Sequence, residues 1–228
     1  MYIWMVIAAF IAMLYSFTLS YRADIKSVEV SPQAESTIDK IVLQHRALQK
    51  FASDHLVYKS GSRTVSFTKG EVLLSSLLDY LPYGFNKGQG ESNYVSVIYC
   101  MDKDDLTKPM VCDDHHATAY LLTYGCIDAR WRSLSGGKPN NELTEAIKTI
   151  VRSGTSFGYT VKTDANDPRN DTTVKSTMAI QGNMKKWVAI PQYIIDNDIG
   201  LGERSFSTMC SGNNDNCEYC LAYLTPFF

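Results

Sequence analysis

The first charged side chain in this sequence is Arg22. Residues 1–21 (MYIWMVIAAFIAMLYSFTLSY) carry none, and about 20 helical residues at about 1.5 Å each cross a hydrocarbon core of about 30 Å. A run of this kind has few fates. A cleaved signal peptide wants a basic n-region, a shorter apolar core and a small-x-small cleavage site. Nothing basic precedes the run here, and residues 17–23 (FTLSYRA) hold no Ala-x-Ala. The run therefore reads as a retained single-span anchor over residues 1–21, with membrane lipid as its first partner. Ile3, Val6, Phe10, Leu14 and Phe17 would face lipid or pack against neighbouring helices. Tyr2, Trp4, Tyr15 and Tyr21 suit the two interfaces.

Two signals bear on sidedness, and they disagree. Arg22 and Lys26 flank the run, which by the positive-inside tendency favours a cytoplasmic head. The six cysteines, at 100, 112, 126, 210, 217 and 220, all lie beyond the anchor. An even set of this kind reads as a disulfide framework, and disulfides persist in oxidising compartments. Large domains also translocate with little regard to flanking charge. The expected arrangement is N-in and C-out, in a bacterial inner membrane with the head in the periplasm, or in an envelope filament. Hydrophobic residues at 45% are enough for a core in that head, and the formal net charge of −2 lacks the basic face a nucleic-acid partner needs.

Beyond the anchor the periodicity turns helical. Ser31-Pro32 is a start signal, with Ser as N-cap and Pro at the first helical position. Ile38, Ile41, Val42, His45, Leu48, Phe51 and Ala52 then recur at spacings of three and four to about Ser53. Glu35, Asp39, Lys40, Gln44, Arg46 and Lys50 fall elsewhere around this helix. A short second helix is expected over 71–81, opened by a Thr68/Glu71 capping box and ended by Pro82 and Gly84. A third is expected over 142–152, with Asn141 as cap and Leu143, Ala146, Ile147 and Ile150 on its core face. Runs rich in β-branched and aromatic residues at 94–100, 119–124, 157–162, 186–190, 205–209 and 218–224 read as strands. The fold class is α+β: a long N-terminal helix, transmembrane then amphipathic, packed on a mostly antiparallel sheet. The domains follow as anchor 1–21, amphipathic stalk 22–56 and globular head 57–228.

No constellation announces catalysis. Cys217-Glu218-Tyr219-Cys220 has the spacing of a thiol oxidoreductase or of half a zinc site. A redox pair should open a helix, whereas this one follows an Asn-rich loop and runs into a strand-like segment, so a structural disulfide is the ordinary reading. Cys100 and Cys112 bracket a polar loop and make a local pair, and Cys210 with Cys217 or Cys220 makes another. Asp113-Asp114-His115-His116 is the densest ligand-type cluster. Adjacent strand residues point to opposite faces and rarely converge on one ion, so it reads as a solvated loop. Residues 164–171 have the composition of a calcium loop but not its central Gly or terminal Glu. No metal and no cofactor are expected, and His45 and His55 read as packed or solvated imidazoles.

An uncharged apolar start followed by an amphipathic helix resembles the PilM-type membrane-anchored accessory proteins of type IVb (thin) pilus systems, and type IV pilin-like proteins generally. Leu77-Leu78-Asp79-Tyr80-Leu81-Pro82-Tyr83-Gly84-Phe85 resembles that group's leucine-rich helix and Leu-Pro-x-Gly passage. Residues 120–125, 143–150 and 154–158 resemble its closing strand–helix–strand. The similarity covers about residues 1–165, and three cysteines lie beyond it. An ordinary pilin has a Glu at its fifth mature position, where this chain has Met5. The resemblance implies a non-catalytic subunit of pilus assembly or of the pilus base, with other pilus or secretion subunits, or further copies of itself, as partners. The reading of a different class is a membrane-tethered periplasmic thiol oxidoreductase using Cys217 and Cys220.

Overall fold

A computed structural model of the chain describes residues 31–59, 62–65, 70–85, 94–105, 108, 110, 112, 114, 116–132, 139–150, 157–162, 178–181, 187–190, 206–210 and 219–227. The described fold lies in the compact unit Pro32–Phe228. It opens with helix α1, Pro32–Asp54, where the Ser-Pro signal places it. Its buried residues Ala34, Ile38, Ile41, His45, Leu48 and Ala52 recur at alternating spacings of four and three, the stripe of a helix laid on a core. Gln44 is a correction. Its polarity suggested the outer face, but it is buried, because the sheet beneath offers it hydrogen-bond partners. His55 closes the helix, its Nδ1 lying 2.8 Å from Phe51 O.

The short strands β1 (Leu56–Lys59) and β2 (Ser62–Val65) form a separate two-stranded ribbon. The main sheet contains β3 (Gly70–Glu71), β4 (Tyr94–Asp102), β5 (Ala117–Cys126), β6 (Phe157–Lys162), β7 (Met178–Gln181), β8 (Trp187–Ala189) and β9 (Cys220–Pro226). Its order is β3-β4-β5-β9-β6-β7-β8, and every pairing is antiparallel. The strand latest in sequence thus lies at the centre, between β5 and β6. The α+β class with a mostly antiparallel sheet is what the sequence pattern predicts.

Both faces of the central strands are covered. Eight consecutive residues of β4 are buried, so its sequence reads as a near-continuous apolar run rather than an alternation. On one face Ile98 and Leu121 pack with Ala47, Leu48 and Ala52 of α1 and with Leu77. On the other, Val95, Val97, Tyr99, Leu122, Tyr124, Ala222 and Leu224 form a second core with Phe206, Cys210 and Ile190. Helix α2 (Leu74–Leu77) runs into a 3-10 turn at Leu78–Tyr80, and α3 (Asn141–Ile150) packs against α1.

Three local expectations are overturned. Glu71 does not cap a helix: it pairs with Val97 in β3, and the helix starts at Leu74 with no side-chain cap. Sheet pairing, a tertiary gain, overrides the local capping pattern, while Thr68 lies outside the described residues. The cap of α3 is Asn140, whose Oδ1 accepts from Leu143 N at 2.9 Å, one residue before the expected Asn141. Of the strand expected over 205–209, the described residues 206–209 are not a strand. Phe206–Cys210 is helix α4, since Phe206, Met209 and Cys210 stand at i, i+3 and i+4 and turn together onto the sheet.

Candidate functional site

The chemistry-bearing side chains of the described residues concentrate in two places, a polar seam under α1 and the cysteines. The seam lies along one cross-strand row. Ser96 of β4 is opposite Thr123 of β5, Thr123 is opposite Tyr223 of β9, and Tyr223 is opposite Phe157 of β6. Alternation sends all four side chains to the α1 face. His45 comes down from α1 onto this row, with Nδ1 3.0 Å from Thr123 Oγ1 and Nε2 2.9 Å from Thr225 Oγ1. Its ring stacks on Tyr223 at a centroid distance of 4.0 Å. Gln44 Nε2 donates to Tyr94 O at 3.0 Å and to Ser96 Oγ at 3.1 Å. Tyr94 in turn donates its hydroxyl to Thr37 O at 3.3 Å.

Every member therefore has a partner, as a buried polar group must. A threonine hydroxyl both donates and accepts, so Thr123 and Thr225 satisfy neutral His45 in either tautomer. They carry no charge to offset burial of an imidazolium. Burial accordingly pulls the His45 pKa down to about 3, and the ring is neutral at any ordinary pH. A closed network of neutral groups holds no nucleophile–base pair and no open ligand position. What it does is fix the rotation and height of α1 on the sheet.

The cysteines form bridges on both faces. Cys100 on β4 is bonded to Cys112, and the pair packs with Ala117, Ala119 and Phe227. Cys210 at the end of α4 is bonded to Cys220 at the start of β9. Cys126 is disulfide-bonded as well, and no described cysteine is free. Cys217 lies outside the described residues. Each of the first two bridges closes a short segment, with sequence separations of 12 and 10. By the chain-entropy argument each stabilises the fold by about 3 kcal/mol.

The remaining sequence candidates stay apart from these. Ile3, Val6, Phe10, Leu14 and Phe17 of the anchor reading lie outside the described residues. Among the described residues, no helix is long and apolar enough to cross a membrane. Asp114 spends its carboxylate locally, Oδ1 accepting from His116 N at 2.8 Å. No group of His, Cys, Asp and Glu side chains among the described residues could hold a metal ion. Sequence reasoning placed His45 on the stripe but missed its partners. Gln44 beside it was the available signal, a polar residue immediately flanking an apolar stripe.

No protein family, curated protein or solved structure matches the chain.

Proposed function

We propose that this chain is a non-catalytic, membrane-anchored structural or assembly subunit of a type IV pilus or a related secretion or conjugation apparatus. The uncharged run at residues 1–21 holds it in the inner membrane or packs laterally in a filament. The disulfide-bonded head faces the periplasm and contacts other subunits or further copies of the chain. The observation that carries this reading is the docking of α1, an amphipathic helix that follows the apolar run and lies across an antiparallel sheet. An amphipathic helix seated on an antiparallel sheet is what a pilin-like head would present. The closed seam beneath it and the bridges on both sheet faces are features of a scaffold.

The structural reading is favoured over the thiol oxidoreductase by Cys220, which is fully buried and bonded to Cys210. The anchor is tested by Ala9→Arg, expected to cost about 2.5–3.5 kcal/mol of insertion free energy and to move the chain from the membrane pellet to the soluble fraction. Unmodified protein found soluble in the periplasm and about 20 residues shorter, the length of a cleaved leader, would overturn it. Site-specific crosslinking from the head in cells is expected to capture envelope subunits.

A further inference from the structure

On the sheet face turned away from α1, three cysteines come together. Cys126 of β5 and Cys220 of β9 are directly opposite each other. Ile127 N donates to Tyr219 O at 3.2 Å, so the neighbouring 127/219 pair is hydrogen-bonded and 126/220 is a non-hydrogen-bonded pair. Such pairs are the closer kind, with Cα atoms about 4.5 Å apart, inside the roughly 4.4–6.8 Å range that a disulfide spans. Cys220 is nevertheless bonded to Cys210, and Cys126 belongs to a different bridge. Two disulfides thus meet at one cross-strand position that would itself accept a bridge.

The two cysteines also differ in environment. Cys220 and Cys210 are fully buried, whereas Cys126 is partly exposed. Arg132 Nη2 lies 3.4 Å from Cys126 Sγ, and the guanidinium is held there by its Nε donating to Ile127 O at 2.9 Å. An adjacent cation stabilises a thiolate, and a stabilised thiolate is the better leaving group when its disulfide is attacked.

We propose that Cys126 is the exchange-active cysteine of this framework, poised by Arg132 to take Cys220 from Cys210 once its own bridge is opened. An external dithiol supplies the electrons. One of its thiolates attacks the sulfur bonded to Cys126 and expels Cys126 as a thiolate; its second thiol resolves the mixed disulfide, leaving that partner cysteine reduced and the dithiol oxidised. Cys126 Sγ then attacks Cys220 Sγ. The Cys126–Cys220 bond forms, the Cys210–Cys220 bond breaks, and Cys210 leaves as a thiolate that takes a proton from water as α4, no longer tied to β9, swings off the sheet. This second step is isoelectronic. It replaces the tie between α4 and β9 with one between β5 and β9, so α4 loses its covalent hold on the sheet.

The test uses the oxidised full chain under native conditions, stepwise dithiothreitol, quenching with iodoacetamide and peptide mapping by mass spectrometry. The first partly reduced species is expected to carry two alkylated cysteines, Cys210 and the former partner of Cys126, and a Cys126–Cys220 bond, with Cys100–Cys112 intact on the opposite face. Cys126→Ser is expected to keep Cys210–Cys220 closed at the same dose. Arg132→Gln should move the pH midpoint for release of Cys210 upward by about one unit, and Arg132→Lys should restore most of it. A first species with Cys126 alkylated and Cys210–Cys220 intact would overturn the proposal. So would release of Cys210 at the same dose from Cys126→Ser. If that variant does not fold, the bond map of the unmodified chain decides alone.

Discussion

Acid should weaken this fold through His45 more than through any other described group. The ring is buried, its pKa is lowered by burial from 6.5 to about 3, and neither threonine that holds it can neutralise a proton. A lowered histidine pKa means that the unfolded chain binds the proton more readily than the folded one. The associated stability is complete above pH 6.5 and is lost as pH falls from there towards 3. The slope inside that window is about 1.4 kcal/mol per pH unit, so moving from pH 7.5 to 5 should remove about 2 kcal/mol. For a domain whose total is about 5–15 kcal/mol, that is a visible shift. Asp128, held below the usual carboxylate range by its hydrogen bond from Arg130, loses its contribution only at lower pH and does not intrude. Urea unfolding by circular dichroism at pH 7.5 and 5 gives the number for the unmodified chain and for His45→Gln. The variant should start less stable, with Thr123 and Thr225 imperfectly paired, yet lose about 2 kcal/mol less between the two pH values. Parallel losses in the two proteins would refute the argument, as would an NMR titration showing His45 charged near pH 6.

Three further outcomes are expected. The Tyr99 hydroxyl is the one buried side-chain polar atom among the described residues without a hydrogen-bond partner. Tyr99→Phe should therefore raise stability by about 1 kcal/mol, and a loss of that size in thermal unfolding would mean that the hydroxyl is satisfied. Asn140→Ala should cost about 1 kcal/mol through the lost cap of α3, whereas Asn141→Ala should fall within about 0.5 kcal/mol of the unmodified chain. Intact mass after alkylation of freshly isolated protein should count no free thiol, and two or more would undercut the disulfide-framework reading.

Local signals carried the elements that announce themselves locally. The start of α1 is written in Ser31-Pro32, and its inner face in residues three and four apart. The central strands β4, β5, β6 and β9 were legible from β-branched and aromatic runs. What failed did so where a distant partner decides. Glu71 looks like half of a capping box until Val97 is beside it. Residues 206–210 are too short for alternation to be told from helical spacing, and the choice is made by Phe206 packing edge-on against Tyr124 at 5.0 Å. The β1–β2 ribbon, β3 and β7 offer four residues or fewer per strand, less than a period-2 pattern needs.

The polar seam was out of reach of the sequence for the same reason, in stronger form. His45 is joined to Thr123 and Thr225, 78 and 180 positions away, and no local pattern links residues so far apart. Its effect on the fold is nonetheless specific. An apolar stripe alone would let α1 slide by a turn or rotate by a residue with modest loss, since dispersion is not directional. A slide of one turn would carry His45 about 5.4 Å along the sheet and break the hydrogen bonds of four buried residues, His45, Gln44, Ser96 and Thr123. Each such group costs about 1–3 kcal/mol, together comparable to the stability of an ordinary domain, about 5–15 kcal/mol. The apolar residues bring the helix down onto the sheet, and the seam selects the one register in which it stays.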